Sequence, residues 1–285
     1  MARIREIRSR VAAIKKTQKI TSAMKMISAA RLARAQQAAE ASRPYGAKLR
    51  EVLASVAGNV EADAHPLLAA RPGKRKLDVL LFTSDRGLCG AFNANLIKTA
   101  QALVAASRDK YASVSVIAIG RRGRDFLRRR RIDSPRAWIG IAQPTAELAH
   151  EIAEYAIERF TKGESDEMVV VYSRFVSAIR QEPSHLTVLP VRAPDAHEGP
   201  QIPYEIEPDA ETLLASVLPG IVEFAILRAL LENAASEHGA RMSAMESATE
   251  NTRELIRSLT LDMNKARQTQ ITTELTEIVA GAEAL

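Results

Sequence analysis

Aromatic side chains are scarce: six Phe, five Tyr and one Trp, 4% of 285 residues. Aromatics supply much of the buried area of a compact core, so part of this chain is expected not to be compact. Cysteine occurs once, at Cys89, which excludes an internal disulfide and fits a reducing compartment. No apolar signal core opens the chain, and no segment reads as the ~20 apolar residues of a membrane span. Because the pattern begins at Ile4, the chain is expected to be soluble or peripheral and used as translated. From Ala225 to Leu285 there is no proline and no Phe, Tyr or Trp, and glycine occurs only at 239 and 281.

What fills that last stretch is alanine, leucine, glutamate, arginine and methionine, the residues that lose least on entering a helix. Read as one helix at 1.5 Å per residue it would be roughly 90 Å long, whereas mean helices run about 11–12 residues. It reads as a rod. Met242, Met245, Thr249, Thr252, Ile256, Leu259, Met263 and Ala266 recur at spacings of 3 and 4, a seam of small and flexible residues where a rigid coiled coil prefers Leu and Ile.

A second rod opens the chain. Ile4, Ile7, Val11 and Ile14 carry the same seam signature. The polar run Lys15 to Lys19 is expected to interrupt the seam, which resumes shifted at Ile20, Met24 and Ile27. Pro44 is expected to break or kink this helix, and Leu49, Val52, Leu53 and Val56 carry the pattern on towards Gly58.

Between the rods the periodicity changes. After a loop from Asn59 to Lys76, Leu77–Phe82, Val114–Gly120, Trp138–Ile141, Met168–Tyr172 and Leu186–Leu189 read as strands. Ala94–Ala106, Arg121–Arg131 and Thr145–Phe160 read as helices. Strands alternating with helices argue for a mostly parallel sheet. Four prolines between Ala193 and Pro208 mark a connector, and Pro219-Gly220 a break or first turn of the last rod. The expected division is 1–58 for the first rod, 74–195 for the α/β domain and 209–285 for the last rod, with the two rods paired antiparallel.

Charge is uneven. Residues 1–50 carry 13 Lys/Arg against Glu6 and Glu40, net +11. Residues 221–285 carry six Lys/Arg and ten Asp/Glu, net −4. A basic first helix and an acidic last one attract each other. The pI near 9.5 fits nucleic acid or an acidic protein partner.

Three motifs then stand out. They are Thr17-Gln18-Lys19-Ile20-Thr21-Ser22-Ala23-Met24-Lys25-Met26, Ser84-Asp85-Arg86-Gly87-Leu88-Cys89-Gly90-Ala91-Phe92-Asn93, and Glu232 through Met242. With Asn264–Gln268 and Ile271–Gly281, they resemble, in order and along the whole chain, the gamma subunit of bacterial F-type ATP synthase. The resemblance implies a long antiparallel coiled coil with an inserted Rossmann-like α/β domain. It implies a non-catalytic rotor that couples c-ring rotation, driven by proton flow, to conformational change at the catalytic beta subunits. Implied partners are the alpha and beta subunits, the epsilon subunit and the c-ring, with no nucleic acid. The implied location is the cytoplasmic side of the inner or plasma membrane, peripheral through the c-ring. No cofactor or metal is implied.

Carried over residue by residue, Met24, Lys25, Arg241, Arg267, Gln268 and Thr272 would contact the alpha and beta subunits. Tyr204 and Glu207 would face the c-ring from the foot. Each has a plainer reading: Met24 as seam filler, Lys25 as a solvated charge, Arg241 paired with Glu237, and Arg267 bonded to backbone near Met263. The regulatory dithiol of the chloroplast members is excluded by the single cysteine.

Other chemistry has weak signals. Gly87-Leu88-Cys89-Gly90 follows a strand as a phosphate loop would, but lacks the lysine and spacing of one. Cys89 has no companion catalytic set in the sequence, and His65, His150, His185, His197 and His238 have no metal spacing. Arg128–Arg131 reads as a solvated helix end or a contact to acidic partners or lipid head groups. Two rivals follow: a nucleotide-binding enzyme built on the α/β domain, and a basic coiled coil on nucleic acid with a steep salt dependence.

Overall fold

The first helix runs without a break from Ala2 to Ala57 (α1). The computed structural model describes residues 2–57, 65–71, 75–192 and 209–283. The elements that follow are β1 (Arg75–Phe82), α2 (Phe92–Ser107), β2 (Tyr111–Ile119), α3 (Arg121–Arg129) and β3 (Ala137–Trp138). They continue with α4 (Ala146–Thr161), β4 (Glu167–Phe175), β5 (Gln181–Leu189) and α5 (Ala210–Glu283). Two compact units result. One joins residues 1–28 to 241–285, and the other is residues 29–240.

Burial along α1 corrects the expected seam. The inward positions are Ile4, Ile7, Val11, Ile14, Gln18, Thr21, Lys25, Ser28, Leu32 and Ala35, an unbroken alternation of 3 and 4. The expected resumption at Ile20 and Ile27 is wrong: these are 59% and 53% exposed. The polar run does not interrupt the seam. It supplies Gln18 to it, and Thr21 and Ser28 follow as buried hydroxyls. A seam that admits polar residues cannot be traced by hydrophobicity alone.

Neither proline ends its helix. Pro44 lies inside α1 and Pro219 inside α5, so the expected break at Pro219-Gly220 does not occur. Both prolines face outward. There the carbonyls of Glu40 and Ala215, which lose their donors, can turn to water. The start of α5 is set by Asp209, whose carboxylate accepts from the Thr212 amide and hydroxyl, each at 2.8 Å. That is the N-cap geometry that satisfies orphan donors.

The larger unit is built on a five-stranded sheet in the order β3-β2-β1-β4-β5. β1, β2, β3 and β4 are parallel neighbours, and β5 runs antiparallel to β4 at the edge. Pro183, which has no ladder donor, is tolerated on that edge strand. One face of the sheet (Leu80, Phe82, Ile117, Ile119, Val170) is covered by α4, by Leu53 and Val56 of α1 and by Leu218, Val222 and Ile226 of α5. The other face (Leu77, Val79, Leu81, Val116, Val171) is covered by α2 and α3.

Helix α3 stops at Arg129, two residues short of expectation. Arg131 takes φ +55°, and the Ile132 amide returns to the Leu127 carbonyl at 3.0 Å, a left-handed helix end. β3 is two residues long because Gly140, at φ +78°, turns the chain. The proline-rich connector and half of the Asn59–Lys76 loop lie outside the described residues.

Against the expectation of no span-length apolar segment, α5 contains an 18-residue window of mean hydropathy 1.9. In the fold its stripe of Leu214, Leu218, Val222 and Ile226 lies in the core beside the sheet. This is the spacing of a helix burying one face.

Gly46 lies against Phe224: a Cβ built there would meet Cε1 of the ring at 1.9 Å, and the ring packs edge-on against Tyr45. Gly46→Leu is expected to lower stability by about 1–3 kcal/mol, the cost of overpacking. A second change, Phe224→Ala, is expected to restore most of it, read as a shift in urea midpoint at constant slope. Separately, His150 Nδ1 lies 2.9 Å from Glu223 Oε2. The hydrogen bond to Glu223, then its charge, raises the imidazole above its ordinary value of 6.5. Stability from this pair is therefore present below the unfolded value and lost as pH rises through the raised one. An NMR titration of His150 is expected to show the raised midpoint, and Glu223→Gln to remove the rise.

Candidate functional site

In the smaller unit the two helices meet through polar contacts. Thr21 Oγ1 and Thr249 Oγ1 are 2.8 Å apart, and Lys25 pairs with Glu246. An advance from Thr21 to Lys25 on α1 is matched by a retreat from Thr249 to Glu246 on α5, so the helices are antiparallel. Ser28 and Thr249 return their hydroxyls to their own helices, to Met24 O and Met245 O, at 2.8 and 2.7 Å. Every seam position expected on α5 from Met242 to Ala266 is half-buried or buried, with Met245 and Leu259 innermost. Small hydroxyls satisfied by backbone carbonyls keep such a seam narrow without leaving polar groups unpaired.

The residues carried over from the resemblance do not form one cluster. Met24 is half-buried beside the seam and Lys25 bridges to Glu246. Arg241 is 6% exposed. Arg267, Gln268 and Thr272 are exposed on the last turns of α5, where Thr272 Oγ1 donates to Gln268 O at 3.0 Å. Gln268 and Thr272 share one exposed face of α5 with Lys265, Thr269, Thr273 and Thr276. On the same turns and beyond, Ile271, Leu275, Ile278 and Val279 are exposed apolar residues. A row of bare β-branched and leucine side chains at a helix tip is the kind of surface that marks a protein contact. Tyr204 and Glu207 lie outside the described residues.

The central motif has structural work that its spacing did not disclose. Asp85 accepts from the Arg121 amide at 2.7 Å and from the Ile141 amide at 2.5 Å. It thus places a carboxylate at the N-terminus of α3, the point where a phosphate would bind in a sheet of this kind. Asn93 closes the loop: its Oδ1 accepts from the Ser84 amide at 2.9 Å, and its Nδ2 donates to Ser84 Oγ at 2.8 Å and to Cys89 Sγ at 3.2 Å. Cys89 is buried. Among the described residues no group of three or more His, Cys, Asp or Glu could hold a metal.

Sequence reasoning also missed a junction between sheet and helix. The Ser173 amide donates to Asn233 Oδ1 at 3.1 Å, and Ser236 Oγ donates to Ser173 O at 3.0 Å. Its only advance signal was a pair of polar residues, three apart, on an otherwise apolar helix face.

Comparison with known proteins agrees with this architecture. The family model described as ATP synthase matches residues 3–285. A protein of Anaeromyxobacter sp. (strain Fw109-5) named ATP synthase gamma chain is 48% identical over 290 residues, covering all of both chains. One of the same name from Desulforamulus reducens is 44% identical over 287 residues, again across both chains in full. Among solved structures, a chain of the Euglena gracilis mitochondrial ATP synthase (OSCP/F1/c-ring, rotational state 3) superposes with TM-score 0.68. It is 22% identical, and the match covers 99% of this chain and 94% of that one. A chain of the Tetrahymena thermophila mitochondrial ATP synthase central stalk and c-ring superposes with TM-score 0.59 at 24% identity, over 80% and 99%. These two likenesses concern the fold. The chain belongs to the ATP synthase gamma-chain family.

Proposed function

We propose that this chain is the central, non-catalytic shaft of a proton-translocating ATP synthase. The observation that carries the reading is the antiparallel pair α1–α5 in the smaller unit. It is held by a narrow seam of aliphatic and hydroxyl side chains and is devoid of aromatic residues, and it occurs in a chain that matches gamma chains end to end. A shaft that turns inside a sleeve must be slim and must not adhere strongly at any one angle. The absence of aromatic side chains keeps the pair slim; its exposed apolar groups are single aliphatic ones such as Ile20, Ile27 and Leu261, and at the tip of α5 Ile271, Leu275, Ile278 and Val279 suit a bearing.

In this reading the larger unit is the foot, facing the epsilon subunit and the c-ring, and the helix pair stands within three alpha and three beta subunits. Proton flow turns the ring and the foot with it. The shaft binds successive conformers of the beta subunit with different free energies, so its rotation permutes the open and closed catalytic sites. Met24, Lys25 and Arg241 are proposed to meet the beta subunits low on the shaft, and Arg267, Gln268 and Thr272 near the top. Tyr204 and Glu207 are proposed to face the c-ring. The net +11 of residues 1–50 complements acidic loops on the beta subunits. The chain is proposed to be peripheral, on the cytoplasmic side of the inner or plasma membrane, held there by the ring.

Weighing the purified native complex tests this. One copy of this chain per three catalytic subunits is expected, and a one-to-one ratio would overturn the reading. Equilibrium dialysis of the isolated chain against ATP addresses the enzyme alternative: micromolar binding would favour it.

A further inference from the structure

We infer that Asn233 and Ser236 are positioning residues that key the sheet to α5, so that a turning foot carries the helix round with it. This inference rests on the rotor reading above.

In the sheet β4 lies between β1 and β5. Its pairing with β1 ends at Leu81 opposite Val171, because β1 stops at Phe82 and the chain turns away. Ser173 lies two residues beyond Val171, so its amide and carbonyl point to the same side and have lost the strand that would have met them. On the other side its register partner is Pro183, to which Ser173 offers neither group, because both face away from β5. Ser173 is 0% exposed, so water cannot substitute.

Two side chains of α5 take the place of the missing strand. Asn233 supplies the acceptor and Ser236 the donor. At positions i and i+3 they share one helix face, and both are buried. The surrounding contacts of α5 with the sheet, through Val222, Ile226 and Leu230, are apolar. Apolar contact is non-directional and resists sliding or rolling of a helix only weakly. A donor and an acceptor on one residue's backbone, met by two side chains on successive turns, fix both the height and the rotation of α5. The key lies just before this unit ends on α5 at Ala240, and α5 continues as one helix to Glu283. Torque delivered to the sheet therefore enters α5 here.

The test uses the assembled complex in inverted vesicles, carrying Asn233→Leu with Ser236→Ala. The readout is proton pumping per ATP hydrolysed, in vesicles matched for passive proton leak and washed free of undocked hexamers, so that a lower amount of intact complex leaves it unchanged. The expected result is hydrolysis within about twofold of the native complex and pumping per ATP reduced at least about fivefold. Val116→Ala, a cavity in the same unit on the opposite face of the sheet, is expected to leave the ratio intact. If the double variant does not assemble, Ser236→Ala alone is read in the same way. An unchanged ratio overturns the inference, and so does an equal fall in the Val116→Ala complex. If the native chain itself gives no coupled pumping, it is the rotor reading that fails, and not the key.

Discussion

Arg159→Met is expected to lower the stability of the sheet-bearing unit by about 3–5 kcal/mol, the usual cost of leaving one member of a buried ion pair behind. Asp78 lies within β1, 1% exposed, where Arg159 Nε reaches its Oδ2 at 2.7 Å and Nη2 reaches its Oδ1 at 3.4 Å. Arg159 also bonds Glu164 at 2.8 Å. Glu164 is half exposed, so losing that contact contributes little.

The loss is expected to depend on pH in a definite direction. Burial pushes the Asp78 carboxyl above its ordinary value, and the hydrogen bond and charge of Arg159 hold the rise back. Without Arg159 the rise grows. A carboxyl raised in the folded state adds stability that is complete below its unfolded value and is lost as pH climbs through the folded one. The variant should therefore be weakest at neutral pH and recover on acidification. Melting curves across pH check this, with a fall of about 10 °C expected at neutral pH for a unit of this size. Replacing both partners, Asp78→Leu with Arg159→Met, should recover most of the loss, because no buried charge then remains.

Removing residues 267–285 is expected to do the reverse, with almost no effect on folding and a large effect on coupling. From Arg267 to Ala280 every side chain is exposed except the half-buried Gln270, so their removal uncovers little core. The melting temperature of the chain should stay within about 2 °C, as for surface changes of about 0.5 kcal/mol. In the rotor reading, however, this tip carries the upper contacts of the shaft. Loss of a single anchor worth about 2 kcal/mol weakens docking about thirtyfold. Titrating the truncated chain against its hexamer, followed by ATP-driven pumping, reads both effects. Unchanged docking together with unchanged pumping would remove Arg267, Gln268 and Thr272 from the proposed contact set.

These two predictions concern parts of the chain that differed in how legible they were. The strands of the sheet could be read from runs such as Val79–Phe82 and Met168–Tyr172, because a strand buried on both faces is written as a continuous apolar run. The seam of α5 could be read from Met242 to Ala266 because its spacing is regular. The seam of α1 could not be followed past Ile14. Gln18, Thr21 and Ser28 hold it with groups that no hydrophobic pattern marks, while the apolar Ile20 and Ile27 face outward. The antiparallel course of β5 was hidden because strand direction follows from tertiary pairing, which a short apolar run such as Leu186–Leu189 does not encode. The role of Asp85 and the Ser173–Asn233–Ser236 junction were hidden for a related reason. Both are contacts between residues far apart in sequence, and a single chain gives no sign of which distant backbone a polar side chain will meet. The proposed contact residues came from family resemblance, and the fold sets Met24, Lys25, Arg241, Arg267, Gln268 and Thr272 along the helices without joining them into one site.

The rotor reading stands or falls on whether this chain turns within its hexamer. A bead attached through a cysteine introduced at the exposed Ile179 can be followed in the surface-held complex, since the native Cys89 is buried. Addition of ATP is expected to drive rotation in one direction, with pauses of threefold periodicity. Continued ATP hydrolysis while the bead shows only Brownian motion would contradict the assignment of this chain as the shaft.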